Sequence, residues 1–359
     1  MFVIDYTPIS ELQNAIDTTR GVIYLPPGDH VLPPLHINRS GIELKGAGSD
    51  TGRSAWGVWP TRLISDIEVD SEKTGDIRGV KLTDLVFEGH LQINENASAG
   101  RLTNVVVRNG SVVQEYGSTD WLYDNVELFN IDGIGVDLKA SNHRTVFLNC
   151  KSSTTNNIPG KAVVRIGKEG HCSNVNFNTC AFQHKNLDYQ INAHSVRALN
   201  ISGGYMEAVK KEKAFVKLGK VLGGFISGVY FQGNDKMPIV FDIEDSESIS
   251  ITGNHFRNLT QAIIVNPNGC PNSSYRNSSN TQDFNNPTSA RGFDAFDFVE
   301  IKIFSDQTIT IPCEPERFQM FALDGISQKS DSENIYITNN TGSLKRIVYK
   351  LNSPCGKDL

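Results

Sequence analysis

Ile201-Ser202-Gly203-Gly204-Tyr205-Met206 is followed by Ile226-Ser227-Gly228-Val229-Tyr230-Phe231 and Ile251-Thr252-Gly253-Asn254-His255-Phe256, and preceded by Phe177-Asn178-Thr179-Cys180-Ala181-Phe182. From Phe182 through Met206 and Phe231 to Phe256, the closing residues are 24, 25 and 25 positions apart. Self-similarity at a fixed period of this size marks stacked coils, each burying its apolar face against the next. A second apolar segment stands ten residues before each apolar anchor: Ile191 before Ile201, Val216 before Ile226, Phe241 before Ile251. Two short strands per coil leave no room for a crossover helix. The sequence therefore predicts an all-β chain, a right-handed parallel β-helix. A β-sandwich also spaces its strands by roughly 8 to 12 residues, but its turns need not repeat in chemistry. Here Thr179, Gly203, Gly228 and Gly253 fall at one bend, where an unusual backbone dihedral favours glycine. The ladder extends upstream with looser spacing through 82–87, 102–107, 122–126 and 146–150, which predicts about eight or nine coils.

The chain has 359 residues, 38% of them hydrophobic and 21% charged, enough for one elongated core with small caps. No segment approaches the ~20 apolar residues of a membrane-spanning helix, so a soluble protein without membrane insertion is expected. A net charge of −6 without a basic run argues against nucleic acid and anionic membranes, which need clustered Lys and Arg. The six cysteines form no Cys-x-x-Cys pair, so neither a metal site nor a redox motif is expected. Cys150 and Cys180 fall at coil bends and read as small inward fillers. No cofactor is implied. No basic, apolar and small-residue leader opens the sequence, so no signal peptide is expected.

The first 40 residues read as a cap and opening strand. Ser10-Glu11-Leu12-Gln13 has the form of a capping box, with Ser10 at the N-cap of a short helix running to about Thr18. A solenoid needs such a cover over its first coil. Gly21-Val22-Ile23-Tyr24-Leu25-Pro26-Pro27-Gly28-Asp29 and Ile42-Glu43-Leu44-Lys45-Gly46-Ala47-Gly48 follow. The β-helix is expected over 41–270, a polar linker or loop over 271–292, and a small C-terminal β domain, sandwich-like, over 293–359. That last stretch alternates like half-buried strands at 298–304, 308–311, 319–323, 334–338 and 346–351.

The helix, the strand ending in Leu-Pro-Pro-Gly-Asp and the later Leu-Lys-Gly-Ala-Gly resemble the opening of pectate-lyase-type β-helices. That superfamily includes bacteriophage tailspikes and polysaccharide depolymerases. The resemblance covers roughly residues 9–266 and is specific for the fold rather than for one reaction. It implies a polysaccharide substrate, a homotrimer, and action at a virion tail or outside a cell.

Stacking turns one position per coil into a surface column. Aligning Ile201, Ile226 and Ile251 places Asn192, Lys217 and Asp242 in one column, and matching strands add Arg165 and Asp137. Coils lie about 4.8 Å apart, so neighbours in a column touch. A second column, Gln183, Glu207, Gln232 and Arg257, follows the aromatic anchor, with His184, Asp188, Tyr189 and Tyr205 nearby. Carboxylates can serve as acid and base, and tyrosines offer flat faces to sugars. Glu207 and Asp242 are therefore the expected acid and base or nucleophile if they share a face, with Asp188 as alternative. Asp137, Arg165, Tyr189, Asn192, His194, Tyr205, Lys217 and Arg257 are expected substrate contacts. For each of these, a solvated ladder residue is the plain alternative. Elimination would instead need Arg or Lys beside the uronate carboxylate and a His, Tyr or Lys base. Arg165, Lys168, Lys217, His194 and Tyr189 could supply these. Neither a calcium-binding aspartate group nor a polygalacturonase set of Asn-x-Asp, Asp-Asp and Gly-His-Gly is recognisable. Asn130-Ile131-Asp132-Gly133 matches one such element only weakly. The sequence thus favours a glycan hydrolase of the depolymerase kind over a glycan lyase, a fructotransferase-type enzyme or a non-catalytic adhesive protein.

Overall fold

The computed structural model describes residues 5–48, 60–70, 76–131, 133–153, 160–184, 187–208, 213–233, 240–244, 246–257, 263–265, 275–278, 281–283, 298–303, 308–312, 318–320, 326–331, 334–340 and 345–351. Its body is a right-handed parallel β-helix of about eight turns. Each full coil contributes three strands, one more than the sequence predicts. Face I runs from Gly21–Tyr24 through Ile42–Lys45 to the rungs ending at Asn178, Ser202, Ser227 and Thr252. Face II runs from Gly28–Val31 through Thr61–Ile64 and Lys151–Ser153 to Ala181–His184, Tyr205–Ala208, Tyr230–Gln232 and His255–Arg257. Face III runs from Leu35–Ile37 through Ile134–Leu138 and Gly160–Ile166 to the rungs holding Ile191, Val216 and Phe241.

The corner between faces I and II explains the miscount. A single left-handed residue turns the chain there, so two strands on two faces read as one six-residue motif. Asp84, Asn104, Asn125, Asn149, Thr179, Gly203, Gly228 and Gly253 occupy this corner with φ of 54, 52, 54, 51, 52, 64, 64 and 62°. Asn, Asp and Gly are the residues that enter this region at low cost. The Asn side chains also bond one another from coil to coil: Asn104 Nδ2 donates to Asp84 Oδ1 at 2.9 Å and Asn125 Nδ2 to Asn104 Oδ1 at 2.8 Å.

The interior is a column of apolar side chains. Tyr123, Phe147 and Phe177 stack with successive centroid separations of 4.6 Å, and Phe231 stacks on Phe256 at 5.3 Å. Cys150 and Cys180 are buried among them, their thiols donating to the Tyr123 carbonyl at 3.2 Å and the Phe147 carbonyl at 3.5 Å. The buried Tyr123 hydroxyl donates to Gln114 Oε1 at 2.7 Å.

The N-terminal cover differs in detail from the sequence reading. A 3-10 turn, Ile9–Glu11, leads into helix α1, Leu12–Thr18, which buries Leu12 and Ile16 over the first coil. Ser10 lies inside the turn rather than capping the helix, because the Pro8 carbonyl already accepts from the Glu11 N–H at 2.9 Å. Regular coiling starts at Gly21, not at 41. It also continues beyond 270: Tyr275–Ser278 and Thr281–Asp283 pair in parallel with 249–252 and 255–257, inside the stretch whose composition suggests a linker. The rest of 271–292 lies outside the described residues. Phe298–Ile303 then pairs with Thr281–Asp283 and, antiparallel, with Lys345–Leu351. A separate antiparallel group joins Thr308–Pro312, Asn334–Asn339 and Ile326–Ser330, the last a strand that the alternation did not expose.

Candidate functional site

Asp137, Arg165, Asn192, Lys217 and Asp242 stand in register on successive rungs of face III. The column divides chemically into two parts. Arg165 and Asp137 form a bidentate pair, with Nε donating to Oδ1 at 2.8 Å and the second guanidinium nitrogen to Oδ2. Their side chains are only 14% and 7% exposed, and the carboxylate raises the Arg165 pKa further. Each therefore satisfies the other, and neither has a free face for a ligand.

At the other end, one ammonium serves two carboxylates. Lys217 Nζ is 3.7 Å from Asp242 Oδ2 and 3.1 Å from Glu244 Oε2. The two carboxylate oxygens lie no further apart than these contacts placed end to end. Glu244 follows Asp242 by two positions in the strand Phe241–Glu244, so both point outward. The Tyr189 hydroxyl reaches Asp242 Oδ2 at 3.5 Å, and Lys217 lies 5.8 Å from the Tyr189 ring centroid. Burial chiefly raises the Asp242 pKa, Glu244 adds to the rise, and Lys217 opposes it. Burial, then the charge of Asp242, raises the Tyr189 hydroxyl well above its ordinary value.

His194 follows Asn192 by two positions and stands level with Gly219 on the next rung. A Cβ on Gly219 would sit 2.9 Å from His194 Nδ1, so the missing side chain makes room for the ring. Burial lowers the His194 pKa, with help from Lys220 and Lys217. Asp188 lies at the start of the same strand as Tyr189 and is paired with Lys213 at 3.2 Å.

Glu207 stands elsewhere. Gln183, Glu207, Gln232 and Arg257 are aligned on face II. Glu207 Oε2 accepts from Gln183 Nε2 at 2.6 Å and from the Tyr205 hydroxyl at 2.8 Å. Burial first, then this bond, raises the Tyr205 pKa. Tyr205, Tyr230 and His255 stack along the axis with centroids 5.6 and 4.9 Å apart. Both faces of Tyr230 and one face of Tyr205 are thereby covered by other rings, which removes much of the flat surface that a sugar would use. Arg257 reaches the Tyr230 hydroxyl at 3.3 Å.

The structure thus brings Tyr189, Asn192, His194, Lys217 and Asp242 together on face III. It places Glu207, Tyr205 and Arg257 on face II, so Glu207 and Asp242 do not share a face. Sequence reasoning passed over Glu244, Tyr230 and His255. Strand alternation from Asp242 reveals the first, and the 25-residue register from Tyr205 reveals the other two.

No family model matches the chain, and no curated protein sequence matches it. Solved structures do. The surface adhesin PfbA of Streptococcus pneumoniae superposes with a TM-score of 0.59 at 12% identity, over 92% of this chain and 95% of that one. The catalytic unit of the GH87 α-1,3-glucanase of Streptomyces thermodiastaticus gives 0.53 at 13% identity, over 80% of this chain and 61% of that one. ORF18 of Geobacillus virus E2 gives 0.50 at 15% identity, over 97% of this chain and 75% of that one. Likeness at these identities is likeness of fold: the solved structures share the parallel β-helix of this chain.

Proposed function

We propose that the protein is a polysaccharide depolymerase that lays an extended bacterial surface glycan along face III and hydrolyses it beside Asp242 and Glu244. The observation that carries this reading is the convergence of two carboxylates and Tyr189 on Lys217. Hydrolysis needs one protonated and one ionised carboxyl. Retaining enzymes hold them about 5 Å apart and inverting enzymes about 6.5 to 9.5 Å apart. Asp242, its pKa raised by burial and by Glu244, is the general acid. Glu244 is the nucleophile or base. Lys217 moves between them as charge develops, and Asn192 and His194 contact sugar hydroxyls on the rungs before.

Elimination fits less well. A Tyr189 hydroxyl held above its ordinary pKa by burial, and then by the carboxylates around it, is a poor base for an α-proton, and Arg165, the strongest uronate partner, is occupied by Asp137. The likeness to a glucanase and to a virus protein supports a carbohydrate-acting chain working outside the cell or on a virion. A homotrimer suits a rod-shaped protomer.

The test is a screen of capsular and O-antigen polysaccharides with product mass analysis. Products gaining one water per cleaved bond are expected, with that activity lost in Asp242→Asn. Unsaturated products absorbing near the ultraviolet edge would replace hydrolysis by elimination. The likeness to a surface adhesin favours a second reading, glycan binding without cleavage. Unchanged chain length together with measurable binding would select it.

A further inference from the structure

Face I carries a depression that face III chemistry does not use. It has a volume of about 330 Å³ and opens to solvent beside Asn176, Asn200 and Phe225. These three residues occupy one column on successive rungs. The adjoining corner column contains Ala198 and Gly223, both in the left-handed region, with φ of 58 and 73°. Their small size leaves the side of the depression unwalled.

Three features suit this hollow to a sugar ring. Phe225 is 45% exposed, although Ile226 and Val221 already fill the core at this coil. An exposed aromatic ring with an open side offers the apolar surface on which a pyranose C–H face rests. Next, Asn200 Oδ1 is shielded from water and has no hydrogen-bond partner, a condition that native structures rarely leave unrelieved. Rotating the amide presents either end to a sugar hydroxyl. Asn176 is held beside it by its Nδ2, which donates to the Asn174 carbonyl at 3.1 Å. Finally, every side chain lining the hollow is uncharged, on a chain whose net charge is −6. An anionic sugar would find no cation there.

We infer that face I holds a second glycan-binding site, which takes a neutral sugar residue between Phe225 and the amides of Asn176 and Asn200. The inference rests on the polysaccharide reading above. A chain held on face I raises the local concentration of the same polymer at face III without adding any contact to the reacting bond.

Affinity electrophoresis tests it, with dextran, laminarin, galactomannan or yeast mannan cast in the gel and hyaluronan as the anionic control. At least one neutral polysaccharide is expected to retard the wild-type protein. Phe225→Ala should lose about tenfold in apparent affinity, and Asn200→Ala should lose part of it. Both face I positions are at the surface, and thermal unfolding at the wild-type temperature confirms that each variant folds. Equal retardation of Phe225→Ala and wild type overturns the site, as does retardation by hyaluronan alone. If no neutral polysaccharide retards the protein while a bacterial glycan is cleaved, this site fails and the depolymerase reading stands. Neither binding nor cleavage of any glycan sinks both.

Discussion

At the corner between faces I and II, the coils before residue 150 place Asp84, Asn104, Asn125 and Asn149 in the left-handed region, whereas those after it use Thr179, Gly203, Gly228 and Gly253. The upstream corner residues are tied from coil to coil by their own side-chain amides, whereas the corner glycines are joined through the backbone, as by Gly203 N–H to the Ser227 carbonyl at 2.8 Å, with Asn254 beside Gly253 accepting from the Val229 N–H at 2.9 Å. Surface charge is arranged in two ways. Arg101 pairs with Asp124, Arg144 with Asp120, Lys139 with Glu115 and Arg165 with Asp137, one cation to one carboxylate, whereas Arg62 faces both Asp29 and Glu88. Downstream, Lys217 faces both Asp242 and Glu244. Neutral one-to-one pairs hold register and have little left to offer a substrate. In the Lys217 group, burial and Glu244 raise the Asp242 pKa, the direction that acid catalysis needs.

The sharpest way to break the downstream corner is at Gly204, which follows the left-handed Gly203. Its own φ is 94°, and a Cβ there would lie 2.1 Å from the Cys180 carbonyl oxygen. Gly204→Ala therefore forces the backbones of two coils apart. A loss of about 3 kcal/mol or more is expected in denaturant unfolding, the size seen when strain and lost packing combine.

The charge comparison yields the next largest effect. Asp242→Asn is expected to lower the rate of glycan cleavage by at least about 100-fold, the usual contribution of a general acid. Arg165→Met, in the same column but in the paired group, should leave that rate within a few fold while destabilising the fold by exposing Asp137 to an unpaired, buried existence. Rates measured under saturating polysaccharide separate the two. Equal losses in both variants would dissolve the distinction between paired and unbalanced groups.

A smaller effect separates conformational cost from crowding. Gly228 has φ of 64°, and a Cβ there would meet Gly203 atoms only at 3.8 and 3.9 Å, an ordinary contact. Gly228→Ala should cost about 1 kcal/mol for the left-handed backbone alone. Gly228→Asn should cost less, because Asn enters this region more readily and is the residue that the upstream coils use. Urea midpoints of the two variants, compared at equal slopes, decide it.

The period of the Ile-x-Gly-x-aromatic motif made the fold readable, because glycine and a fixed spacing both survive in the letters. It also aligned Asp137 through Asp242 correctly, since every insertion between those strands falls outside the rungs themselves. The number of faces was less legible. One left-handed residue turns the chain by a whole face, and a turn so short leaves no polar run or proline to mark it. The earlier coils hid the same corner because Asn and Asp replace Gly there, so the conformation is shared where the letter is not. Which column carries chemistry was least legible. Glu207 and Asp242 look alike as letters. One is fixed by Gln183 and Tyr205 on face II, and the other shares a lysine with Glu244 on face III.

The finest distinction concerns the sign of the Asp242 shift. Burial and Glu244 raise its pKa, whereas Lys217 lowers it. A carboxyl raised in the folded state holds its proton to higher pH than in the unfolded chain. Its ionisation therefore costs stability, a cost absent below the unfolded value of 3.8 and complete above the folded one. Lys217→Met removes the opposing cation, so Asp242 should titrate higher still. The alkaline limb of the cleavage rate, where the general acid loses its proton, should then move to higher pH, and stability at neutral pH should fall slightly. Glu244→Gln acts in the opposite direction: with one raising charge gone, the Asp242 carboxyl carbon should titrate at lower pH by NMR, whether or not the variant cleaves glycan. Shifts of the same sign in both variants would mean that Lys217 and Glu244 do not act on Asp242 from opposite sides, and the unbalanced group would lose its chemical meaning.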